Sequence, residues 1–174
     1  MAENKTLIDC LIELIENYSC PTDRDGQAQA LVILRAWYLA IETKDLPAVE
    51  AMMHQNIVID LPFSESGRTD PGFYRVYEGI PDCLNFWKVA MALEAAYHPF
   101  TDMDLTVSPD GSRVFVEARG HVTMTSGVDY RNRYVLRMDI QDGKVRHFRE
   151  YYNPIISAFA FDRLIAGQFK LDQL

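Results

Sequence analysis

No stretch of this chain is both long and apolar. The longest purely aliphatic run covers residues 31–34 of 174, far below the roughly 18 residues that a membrane helix requires, so no membrane span is expected. Basic residues are also in deficit, 17 Lys and Arg against 25 Asp and Glu. That balance argues against a nucleic-acid partner, because phosphate binding needs clustered cations that displace counterions. Cysteine is scarce: Cys10, Cys20 and Cys83 are odd in number and lack the close paired spacing of zinc or redox motifs. They read as small buried or half-buried thiols, and no disulfide is assigned. The start, Met1-Ala2-Glu3-Asn4-Lys5, has no basic region leading into an apolar stretch, so a secretory signal is not expected and the expected compartment is the cytoplasm. The glycosylation sequons at Asn4 and Asn17 are then chance matches.

Signature motifs are missing too. There is no Gly-rich nucleotide loop, no Gly-x-Ser-x-Gly elbow and no His-Glu-x-x-His site. His54, His98, His121 and His147 are scattered along the chain, so no metal is expected; His98, before Pro99, reads as a surface or capping residue at a helix end.

The chain has the length of one ordinary domain. We expect an N-terminal helix and linker over 1–25, a main domain over 26–156 and a helical tail over 157–174. Leu7, Leu11, Leu14 and Ile15 make one apolar stripe, which predicts a helix over 6–18, followed by a loose stretch at 19–26. A second helix is predicted over 27–43. Asp45 then caps a short helix over 46–54, with Pro47 in its first turn where a missing N–H costs nothing. A strand follows over 57–63, a loop over 64–72, and a helix from Pro81 to about residue 97. The remainder alternates and turns as an antiparallel meander: 101–107, a Ser108-Pro109-Asp110-Gly111 turn, 113–125, 131–140, an Asp142-Gly143 hairpin, and 144–152. Helices first and a meander afterwards define α+β.

Side chains alternate across a strand, so parity shows which face is inside. Even positions hold Val114, Val116, Ala118, Val122 and Met124, then Tyr130, Asn132, Tyr134, Leu136 and Met138, while odd positions carry Glu117, Arg119, His121, Arg131, Arg133 and Arg137. The odd face reads as a sheet face laced with cross-strand ion pairs and covered in a dimer. In the last strand the division is closer, but Phe148 and Tyr152 favour the even side. Glu150 then stands on the apolar face between two aromatics. A carboxyl group removed from water resists ionisation, so its pKa rises and it is able to give and take a proton near neutral pH. Two alternatives stay open: a bulge that reverses the parity, or an ion pair that makes Glu150 structural. Tyr130, Asn132 and Tyr134 share its face, as ligand contacts or as tips reaching water. Trp37, Tyr38, Phe86 and Trp87 form either the opposite wall of a site or plain core.

The order of elements resembles the SnoaL-like branch of the ketosteroid isomerase and nuclear transport factor 2 superfamily over residues 27–154. The resemblance is carried by residues 37–45 leading into Leu46-Pro47, by Tyr77-Glu78-Gly79 opening a helix, and by Asp142-Gly143-Lys144-Val145 leading to Arg149-Glu150-Tyr151-Tyr152-Asn153-Pro154. It implies a cone-shaped curved antiparallel sheet with the N-terminal helices on its concave face. Residues 116–121 and 130–134 are most similar to the phenazine-biosynthesis A/B proteins. That likeness implies a small homodimer with a conical pocket, no cofactor, and acid-base catalysis of condensation between carbonyl and amine groups. Their acid-base glutamate falls on Glu150 and their pocket tyrosine and asparagine on Tyr130 and Asn132. The phenazine proteins carry a His and a Ser where this chain has Phe86 and Ala90. The catalytic Asp of ketosteroid isomerases is replaced by Leu61 before Pro62, and the Arg and Asp of the epoxide-hydrolase branch by Ala118 and Gly120.

The reading that results is a cofactor-free enzyme in which Glu150 exchanges protons with a small hydrophobic or aromatic molecule, in a pocket lined by Trp37, Tyr38, Phe86, Tyr130, Asn132, Tyr134, Phe148 and Tyr152. Condensation, cyclisation or isomerisation would fit. The alternative is a binding or scaffold protein of the same fold without turnover, which the single acid-base residue visible in the sequence favours.

Overall fold

The computed structural model of the protein describes residues 6–17 and 24–165. Asn4, Cys20, most of the expected linker and the end of the expected tail lie outside these residues. Helix α1, Leu7–Glu16, opens with a capping box: Asp9 N–H donates to the Thr6 hydroxyl and Thr6 N–H to the Asp9 carboxylate. Its Leu14 and Ile15 pack against the main core. Helix α2, Arg24–Glu42, begins against the turn that joins two strands of the sheet. There a Cβ on Gly111 would lie 2.1 Å from the Gly26 carbonyl oxygen, so the two backbones meet only because both residues are glycine. After α2 the chain turns through Lys44 in the left-handed region, and Asp45 caps α3, Leu46–Met52, by accepting from Ala48 N–H at 3.0 Å.

Strands β1, Met53–Leu61, and β2, Arg75–Glu78, precede helix α4, Gly79–Leu93. Then come β3, Glu94–Val107, β4, Arg113–Met124, β5, Asp129–Gln141, β6, Lys144–Tyr152, and helix α5, Pro154–Ala160. The strands form one curved sheet in the order β2-β1-β6-β5-β4-β3, and the architecture is α+β. One pair departs from the antiparallel expectation: β1 runs parallel to β6. The meander from β3 to β6 returns the chain beside β1 in the same direction, and β1 is left between β6 and its antiparallel partner β2.

Curvature comes from bulges. The pairing of β3 with β4 shifts register in three places, and Asp102, at a positive φ of 50°, sits in one of them; each extra residue bends the strand and increases its twist. Asp142 and Gly143, both at positive φ, close the β5–β6 hairpin as its two-residue turn requires.

The even face of β4 and β5 is buried, as parity predicts. In β6 the register slips by one residue at Arg146: Asp139 faces His147, but Ile140 faces Val145. That bulge explains the blurred alternation, because odd Val145 is buried before it and even Phe148 after it. Trp37, Trp87 and Phe148 form the aromatic centre of the core, with ring centroids 5.7 to 5.9 Å apart.

Several boundaries differ from expectation. Helix α3 ends at Met52 rather than at residue 54, β1 covers Met53–Leu61 rather than 57–63, and β3 begins at Glu94 rather than at 101. Helix α5 begins at Pro154, before the tail expected from 157, and ends at Ala160, with 161–165 outside any helix. The helix predicted to about residue 97 stops at Leu93, and residues 94–97 pair with β4 instead, so His98 is a strand residue stacked on His121 at 4.0 Å rather than a helix cap. The Lys44 ammonium donates to the carbonyls of Met91 and Glu94 and holds the helix end there. Residues 75–78 form an edge strand that lacked a readable alternation. On the odd face the ion pairs run to Asp102, Asp129 and Asp139: Arg119 and Arg133 share Asp102, His121 and Arg131 meet Asp129, and Arg113 and Arg137 meet Asp139.

Candidate functional site

Between the concave face and helices α2 and α4 lies a cavity of about 210 Å³, many times the roughly 10–15 Å³ that one water needs. Its walls are aromatic and aliphatic, from Ile41, Phe86, Trp87, Phe100, Leu136 and Phe148. Its polar groups are chiefly carboxyls and phenols, with the Asn85 amide, the Ser157 hydroxyl and the Trp87 indole N–H beside them and two arginines, Arg75 and Arg163, at one end.

Glu150 lies beyond the β6 bulge, with its carboxyl facing this cavity. Its side chain is half-buried on the cavity wall. Among the described residues no hydrogen bond or ion pair reaches that carboxyl. Burial raises its pKa to about 7, with the negative charge of Glu94 adding to the effect and Arg75 opposing it.

Glu94, the first residue of β3, is a second carboxyl on the same cavity. Tyr97 OH donates to its Oε2 at 2.5 Å. Burial raises it to about 7 as well, although the Tyr97 hydrogen bond and the Lys44 charge pull the other way. Four of the six phenols that line the cavity are Tyr38, Tyr97, Tyr130 and Tyr134. Burial and a neighbouring carboxylate push these four up, Tyr130 to about 12, so at neutral pH they are hydrogen-bond donors. Tyr38 OH, Trp87 Nε1 and Arg75 Nε are buried without a hydrogen-bond partner among the described residues, and all three side chains line the cavity. Buried donors of this kind cost stability unless an acceptor meets them. At the arginine end, Arg75 donates to Tyr152 OH, and Glu65 Oε1 stands 3.5 Å from Arg75 and 3.0 Å from Arg163.

Of the residues singled out in the sequence, Glu150, Tyr38, Phe86, Tyr130, Tyr134, Phe148 and Tyr152 meet on this cavity. Trp37 and Asn132 do not. Trp37 is wholly buried behind the cavity against Trp87 and Phe148, because neighbours on a helix point about 100° apart and Tyr38 takes the inward direction. Asn132 spends its amide as a brace: it donates to Tyr130 OH and Asn153 O and accepts from Asn153 N–H and Arg133 N–H. It positions Tyr130 and the start of α5 from behind. Sequence reasoning missed Glu94, Tyr97 and Arg75. The first two lie at the start of β3, where the sequence pattern predicts the end of a helix and nothing local marks them.

A curved sheet wrapped by helices around an apolar cavity with an inward carboxyl defines the class, a small α+β pocket protein. The chain belongs to the SnoaL-like domain family, which matches residues 34–148. It is 26% identical over 137 residues to the Bacillus subtilis protein YesE, described as uncharacterized, across 76% of this chain and 87% of that one. A Bacillus subtilis crystal structure described as a "putative isomerase" superposes with a TM-score of 0.68 at 21% identity, covering 81% of this chain and 99% of the other. A "putative polyketide cyclase" from Xanthomonas campestris gives 0.60 at 19%, over 74% and 93%. A phenazine biosynthesis-related protein from Pseudomonas aeruginosa gives 0.62 at 15%, over 86% and 97%. These likenesses establish the fold. Among the described residues no helix is long and apolar enough to cross a membrane.

Proposed function

We propose that this protein is a small acid-base enzyme that isomerises, cyclises or condenses a hydrophobic or aromatic molecule, with Glu150 as the proton-transfer group. The observation that carries this reading is the carboxyl of Glu150, which no described residue pairs, standing on a largely apolar cavity where desolvation raises its pKa to about 7. A group with a pKa near the working pH serves as acid and base with little loss in either direction. Tyr38 OH, Trp87 Nε1 and Arg75 Nε, buried donor atoms with no partner among the described residues, favour a ligand bearing acceptor atoms such as carbonyl oxygens. Two superposing proteins described as a "putative isomerase" and a "putative polyketide cyclase" support this reading. The chemistry is proposed to proceed without a cofactor. A second reading, binding without turnover, is favoured by Phe86 and Ala90, apolar lining residues of α4 that supply no proton-transfer group.

The test is a screen of ketones, amines and polycyclic aromatics followed by Glu150→Gln. The expected result is a fall in turnover of about 100-fold or more with ligand affinity nearly unchanged. Turnover that survives the substitution overturns the proposal, and ligand binding without turnover in the unaltered protein selects the second reading.

We also propose that two copies pair through the convex sheet face. Phe63, Phe115 and Val135 are exposed there among the ion pairs, and Phe63 packs edge-on against Tyr151 at 5.4 Å.

A further inference from the structure

We propose that Glu94 is a second proton-transfer group of the same cavity, acting on the substrate opposite Glu150, so that one carboxyl removes a proton while the other supplies one. The inference deepens the acid-base reading above and rests on it: it narrows the reaction to a proton relocation within one molecule, as in isomerisation of an enolisable carbonyl compound or a cyclisation that follows from it.

The geometry carries it. Glu94 and Glu150 belong to strands separated by β5 and β4, and the curved sheet turns both carboxyls into one space. Glu94 is held more firmly than a chance lining residue. Lys44 clamps its backbone carbonyl, and Tyr97 OH fixes one carboxyl oxygen at 2.5 Å. No other hydrogen bond reaches that carboxyl among the described residues. The titratable and charged groups that act on it are Lys44 from the α2–α3 turn, Tyr97 of its own strand, Tyr134 of β5 and Glu150 of β6. Helix α4 and strand β4 contribute only Asn85 and uncharged, mostly apolar residues to the lining. Tyr134, hydrogen-bonded to Tyr130, stands within electrostatic reach of both carboxylates.

Two carboxyls that repel each other's charge hold a single proton over the near-neutral range. In that state the ionised member takes a proton from carbon next to a carbonyl. The C–H electron pair becomes a C=C bond as the carbonyl pair moves to oxygen. The neutral member places its proton on that oxygen, giving the enol, or on the far carbon of a conjugated system, where the remote C=C pair forms the new C–H bond, the double bond shifts and the oxygen pair returns to re-form the carbonyl. One proton is taken and one given, no co-reactant is consumed, and the pair ends with its proton on the opposite carboxyl, which water re-equilibrates.

The experiment is a carbon-13 carboxyl NMR titration of the full chain and of Glu94→Gln, Glu150→Gln and Tyr97→Phe. It is combined with deuterium exchange at the α-carbon of 2-tetralone in heavy water as a function of pH. The expected titration has both glutamates well above the roughly 4.3 of a free side chain, with Glu150→Gln lowering the Glu94 midpoint and Tyr97→Phe raising it. The expected exchange profile is a bell that each Gln variant lowers about 100-fold. Exchange in Glu94→Gln at the unaltered rate and pH profile, with Glu150→Gln inactive, overturns the inference and leaves Glu150 as the lone acid-base group. Should the unaltered protein exchange no deuterium, the acid-base reading fails and the proton-transfer role of Glu94 fails with it; a Glu94 midpoint unmoved by Glu150→Gln overturns the pair by itself.

Discussion

Gly120 on β4 and Tyr134 on β5 are diagonal neighbours on the concave face, and the ring of Tyr134 occupies the place where a Gly120 side chain would be. A Cβ on Gly120 would stand 2.6 Å from Tyr134 Cε2 and 3.2 Å from Phe100 Cε1. Gly120→Ala is therefore expected to tilt both rings into the cavity. Overpacking of this kind costs about 1–3 kcal/mol, and the lost space is expected to weaken ligand binding more than it weakens the fold. Calorimetric titration beside thermal melting separates the two effects; affinity equal to that of the unaltered protein would show that Tyr134 has another place to go.

The two cavity carboxyls make stability depend on pH in a definite direction. Both keep their protons to about pH 7 in the folded chain, whereas unfolded glutamate ionises near 4.3. Between those values the folded state binds more protons than the unfolded one, so stability is full at the acid end and falls as pH rises through 7. Glu94→Gln and Glu150→Gln are each expected to stabilise the protein at pH 8 by roughly 1–3 kcal/mol and to change little at pH 4. The double variant should gain less than the sum, because each charge raises the other. Urea denaturation at the two pH values measures this, and equal effects at both would mean the carboxyls are hydrated.

Asp60 behaves in the opposite sense. It is buried on β1, where Arg149 donates three contacts of 2.7 to 3.0 Å and His147 Nε2 stands at 2.9 Å. Burial opposes its ionisation, but the hydrogen bonds from His147 and Arg149 outweigh that and lower it to about 2. Its contribution is present above the ordinary carboxyl range near 3.8 and is lost as pH falls toward 2. Asp60→Asn is expected to cost about 2–4 kcal/mol, because it strands a partly buried guanidinium. The loss should vanish in melts near pH 2, where the unaltered side chain is also neutral.

Pairing through the convex face is open to a direct check. Val135 lies opposite Tyr151 and Glu117 and between Arg133 and Arg137. Val135→Arg would add a third cation and remove an apolar contact, so sedimentation at micromolar concentration is expected to show a dimer for the unaltered chain and a monomer for the variant. A monomer in both would end the proposal.

The inward direction of Glu150 is written in local alternation, because Phe148, Glu150 and Tyr152 repeat at the strand period and the pleat leaves them one side. The caps at Asp45 and Pro47 and the Asp142-Gly143 turn are equally local, since each is a backbone requirement met by neighbouring residues. The even face of β4 is legible for the same reason: burial sorts side chains by polarity, and a strand has only two faces. The meeting of Glu94 with Glu150 belongs to the tertiary structure alone. It depends on where α4 stops, which Lys44 decides from a turn far away in sequence, and on bulges that curve the sheet until separated strands share one space. The same holds for Trp37 and Asn132. An apolar helix face or an inward strand position tells that a side chain is covered, and only the packing of the other elements decides whether it is covered by neighbours or stands against a cavity.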